Sequence, residues 1–167
     1  MFRKKHNGFS VVAAIFLLVV LTLLAVVIAS VSGLQQASSQ LDVLGVRAYS
    51  AARTGLEWGA HRVLDPGNTL ACGVMPACPA SPQNLPALAG SLSPFTVTVS
   101  CAESADTEGN RNLRVYSVVA TACNQPDGTG SCPNAAPTIN DYVDRQVQAS
   151  LSKCKDPTAA APRYECG

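Results

Sequence analysis

Residues Val11 to Val31 form an almost unbroken apolar run, and nothing else in the sequence restricts the chain as strongly. The run holds no charge and no proline, and only Thr22 and Ser30 are polar. A helix needs about 20 such residues to cross a bilayer. A secretory signal has a shorter apolar core, about 7 to 15 residues, ending at a small-residue cleavage site. Ala29-Ser30 is only a faint candidate for one. Arg3, Lys4 and Lys5 precede the run, so the positive-inside rule puts the N-terminus in the cytoplasm and the rest of the chain outside it. A single-span anchor is the plainest expectation.

Helical periodicity continues beyond the run. There is no proline from Gly33 to Leu64, and Asp65-Pro66 supplies a stop. Leu34, Ala37, Leu41, Leu44, Ala48, Ala51, Gly55 and Gly59 step by three and four, which makes one stripe of apolar or small residues. Gln35, Gln36, Ser39, Asp42, Arg47, Arg53 and Arg62 fall mostly off it. Residues 9–31 and 32–64 therefore read as the membrane half and the amphipathic half of one helix.

Composition then shifts. Residues 65–94 carry six prolines and no charge after Asp65, which reads as a connecting loop. Phe95, Val97, Val99 and Cys101 alternate with Thr96, Thr98 and Ser100. Leu113 to Cys123 is rich in Val, Tyr and Thr and suits a strand covered on both faces. Val143, Arg145, Val147, Ala149 and Leu151 alternate with Asp144, Gln146, Gln148 and Ser150. Period two with polar links predicts an antiparallel sheet over 95–154, with its first turn at Glu103 to Asn110 and a long second link at 124–140. Residues 155–167 form a tail. One long helix followed by a small meander is an α+β fold, and about 135 residues beyond the span suffice for one domain.

Seven cysteines, Cys72, Cys78, Cys101, Cys123, Cys132, Cys154 and Cys166, all lie on the non-cytoplasmic side by the charge rule. A thin domain in an oxidising compartment uses disulfides as staples. Short closures would join Cys72 to Cys78, Cys123 to Cys132 and Cys154 to Cys166. An alternative joins Cys101 to Cys154 and frees Cys166. Spacing does not decide the connectivity, and one thiol stays unpaired unless it bonds another chain.

Chemistry-bearing constellations are sparse. Two histidines, one of them in the leader, give no nucleophile–base–acid set. There is no Cys-x-x-Cys, and His61 is the only histidine outside the leader, which argues against zinc. Glu103, Asp106, Glu108 and Asn110 are calcium candidates, but they lack EF-hand spacing, and a solvated hairpin turn is the plainer reading. Asp127-Gly128-Thr129-Gly130 reads as a turn. Net charge is +1 and no basic run follows the leader, so no nucleic-acid surface is expected.

The N-terminus, Arg3-Lys4-Lys5-His6-Asn7-Gly8-Phe9-Ser10 before the apolar run, resembles a type IV prepilin. That resemblance implies a basic leader at 1–8, cleavage between Gly8 and Phe9 by a prepilin peptidase, and N-methylation of Phe9. It departs from most pilins in having Ala13 where they carry a glutamate thought to pair with a neighbour's N-terminal amine. Such subunits tend to be minor ones, often at a filament tip. The run Arg47 to Gly59, ending Gly55-Leu56-Glu57-Trp58-Gly59, resembles minor pilins of the PilX type and, most of all, the MshP family of the mannose-sensitive haemagglutinin pilus. Gly55, Leu56, Glu57 and Trp58 would pack helix against sheet, with partner binding as the other use of Trp58.

The resemblance implies a Gram-negative inner-membrane protein with a periplasmic domain that enters an extracellular pilus. Its partners would be other pilins through the N-terminal helix, the peptidase and the inner-membrane assembly platform. It implies no enzyme activity, cofactor or metal. The other readings are a pseudopilin of a type II secretion system, a tip adhesin or ligand-binding module, and an ordinary bitopic protein.

Overall fold

A computed structural model describes residues 9–64 and 74–156, with helix side chains described over 11–31 and 38–64. The leader 1–8 with Gly8, the proposed stop at Asp65-Pro66, Cys72, Cys166 and most of the tail lie outside the described residues. The order is helix α1 (Phe9–Leu64), β1 (Gln83–Asn84), a 3-10 turn (Gly90–Leu92), β2 (Thr96–Glu108), β3 (Arg111–Cys123) and β4 (Asp144–Lys155). The architecture is α+β, a long helix followed by a small antiparallel sheet. Packing divides the chain into two units, Met1–Asp42 and Val43–Gly167.

In the first unit the described helix begins at Phe9, and its apolar side chains are exposed: Val12, Phe16, Leu18, Leu23, Val26 and Ile28 each keep more than half of their surface. The two polar residues of this stretch turn inward on their own helix. Thr22 Oγ1 donates to the Val19 carbonyl at 2.9 Å and Ser30 Oγ to the Val27 carbonyl at 2.8 Å. Neither hydroxyl between Val11 and Val31 is left needing water, which is what a hydrocarbon environment demands.

The second unit is a four-stranded sheet in the order β1-β2-β3-β4. β2 and β3 pair without a break from Thr96↔Cys123 to Glu108↔Arg111. β3 and β4 pair from Asn112↔Lys155 to Cys123↔Asp144. The helix from Val43 onward lies on one face. Val97 and Val99 of β2, with Tyr116, Val118, Ala120 and Ala122 of β3, meet Ala48, Ala51, Ala52 and Val63 of α1 in one core. Each fully buried valine contributes about 1.5–3 kcal/mol. Small residues on the helix let its backbone approach the valines. Ala120 to Cys123 are buried on both faces, because the 124–143 link folds back over the far side and Cys132 closes on Cys123.

Three boundaries differ from those the sequence suggests. β1 sits inside the 65–94 stretch expected to be loop, where Gln83 and Asn84 pair with Val99 and Thr98. β2 runs on to Glu108, so the turn expected over Glu103 to Asn110 shrinks to Gly109-Asn110. Gly109 takes φ +62°, the left-handed conformation that tight hairpins require and glycine adopts without strain. β4 ends at Lys155, one residue beyond the expected limit.

Candidate functional site

The membrane-length segment is the first candidate. Val11–Val31, 21 residues, is long and apolar enough to cross a membrane by length and composition. Ala13 sits within it on the described helix. The side chain of Phe9 lies outside the described residues.

The second candidate is the contact between helix and sheet. A Cβ built on Gly55 would lie 2.5 Å from Val97 Cγ1, 3.1 Å from Ala120 Cβ and 3.3 Å from Val99 Cγ2. One built on Gly59 would lie 2.6 Å from Val118 Cγ1. Both glycines therefore stand where the two layers touch. Leu56 and Trp58 are partly buried against the same core. Glu57 is not part of the packing: it points to solvent and pairs with Arg53 at 3.1 Å, one helical turn back. Arg62 lies over the Trp58 ring, 5.4 Å from its centre, within reach of a cation–π contact. At the helix end, the Lys153 ammonium donates to the Leu64 carbonyl, placing a cation at the negative pole of the helix dipole.

The third candidate is the cysteine framework. Cys123 bonds Cys132, a separation of 9, the short closure that spacing suggests. Cys78 does not bond Cys72. It bonds Cys101, 23 residues on, with the Cα atoms 5.6 Å apart. The alternative Cys101–Cys154 is excluded by the same bond. Cys154 is disulfide-bonded as well, to a partner outside the described residues. Sequence proximity misleads here because the segment before β1 runs along the outer edge of β2, which brings Cys78 to Cys101.

That segment is held by polar contacts that periodicity does not reveal. Cys78 N donates to Glu103 Oε2 at 2.7 Å, and Glu103 Oε1 takes an ion pair from Arg114 at 3.2 Å. Arg114 and the Tyr116 hydroxyl both donate to the Pro76 carbonyl. Burial pushes the Tyr116 pKa above its ordinary value; Arg114 opposes the rise and Glu103 adds to it. Glu103 is thus engaged in a structural pair. Asp106 and Glu108 fall on the opposite face of β2, since neighbours along a strand alternate. The acidic residues therefore do not converge. No group of three or more metal-ligating side chains occurs among the described residues.

No protein-family model, no curated protein and no solved structure matches the chain.

The 124–143 link is ordered by side-chain amides and a carboxylate. Asn124 receives a bond from Val143 N and donates to the Asp141 carbonyl. Gln125 accepts from Thr138 N and donates to the Thr138 hydroxyl. Asp127 Oδ1 accepts from Thr129 N, the Thr129 hydroxyl and Ser131 N at 2.9, 2.6 and 2.9 Å. The hydroxyl bond of Thr129 and the Ser131 amide hold this carboxyl below its ordinary pKa. Asn84 joins the link to β1 through the Gly130 carbonyl at 2.9 Å. Asn, Gln and Asp clustered among Gly and Pro signalled a turn, but their distant partners carried no sequence signal.

Proposed function

We propose that this chain is a minor type IV pilin-like subunit, of the kind that serves the mannose-sensitive haemagglutinin pilus, acting in assembly at initiation or at the tip. One observation carries the reading. A single helix, Phe9–Leu64, has an exposed apolar first part long enough for a bilayer, and its later part is buried against a small antiparallel sheet. The leader motif Gly8-Phe9 and the run Gly55 to Gly59 add to it. In this reading the helix waits in the inner membrane with its N-terminus cytoplasmic. The peptidase cuts after Gly8 and Phe9 is methylated. The apolar segment then packs among neighbouring pilin helices as the assembly platform lifts subunits out. Ala13 offers no carboxylate to a neighbour's amine, so the subunit is a low-copy one.

The test is the mature N-terminus of the native protein. Intact-mass analysis of membranes from cells with and without the prepilin peptidase should give a chain starting at methylated Phe9 only when the peptidase is present. A Met1 start in both would leave an ordinary single-span anchor. Filaments in which this chain is the bulk component would overturn the low-copy role.

A further inference from the structure

We draw no further inference here: the strongest candidate, the hydroxyl- and amide-lined sheet face turned away from the helix, where Val115, Gln148, Ser150 and Ser152 are exposed, carries none because nothing in the structure shows what covers it.

Discussion

The Cβ that Gly55 lacks would stand 2.5 Å from Cγ1 of Val97. The distance between helix and sheet is therefore set by the absence of a single methyl group. Gly55→Ala should lower stability. Overpacking costs about 1–3 kcal/mol, against roughly 1 kcal/mol returned by the better helix former. Gly55→Val should cost more. Gly128→Ala, where nothing lies within 4 Å, should change stability little. Thermal melts of the three variants check the order, and a Gly55→Val protein as stable as the parent would contradict the packing.

Non-reducing peptide mapping should recover Cys78 linked to Cys101 and Cys123 linked to Cys132. Closing loops of these separations stabilises by about 3 kcal/mol each in the chain-entropy treatment, slightly more for the longer loop. Cys101→Ser and Cys132→Ser should each lower the denaturation midpoint by a corresponding amount. Cys72→Ser should leave the Cys78 link intact. A Cys72–Cys78 peptide pair would refute this framework.

Tyr116 gives the domain an alkaline limit. Burial raises its pKa in the folded chain, so between the ordinary value of 10.0 and the folded value the native state keeps a proton that the unfolded state has lost. Stability from this group is complete below pH 10.0 and falls as pH rises through that window. Tyr116→Phe should flatten the decline while also losing the bond to Pro76. Denaturant melts between neutral and strongly alkaline pH would show the difference in slope.

Asp127 acts at the other end of the scale. Its carboxyl lies below the ordinary 3.8, chiefly through the Thr129 hydroxyl and then the Ser131 amide. The stability it gives is present above pH 3.8 and is lost as pH falls through the depressed folded value. An NMR titration of the Asp127 carboxyl should find a midpoint below 3.8, and Thr129→Ala should raise it. A midpoint at or above 3.8 would contradict the turn geometry.

The long helix and the three main strands were legible because their side-chain periods, near 3.6 and 2, are properties of neighbouring residues. The end of β2 was not. Glu103, Asp106 and Glu108 look like a solvated turn, yet a strand at the sheet's far end tolerates them: Glu103 meets Arg114 across the ladder, and Asp106 and Glu108 face outward. β1 was hidden because two residues among prolines carry no period. The Cys78–Cys101 bond was hidden because it depends on where that short strand docks. In the Gly55 to Gly59 run, the small residues pointed correctly to a close approach. The charge on Glu57, one position further round than Leu56, already marked the side that turns away from the sheet.

The helix and β4 run side by side in one direction, fixed near the start where Gly45 meets Arg145 and at the end where Lys153 holds Leu64. A tensile load entering through the N-terminal end of this helix meets the sheet in shear. The contacts at Ala48, Ala51, Gly55, Gly59 and Val63 then share the force together, and none is peeled away ahead of the next. A domain built this way would yield to pulling at one threshold, with little gradual loosening below it.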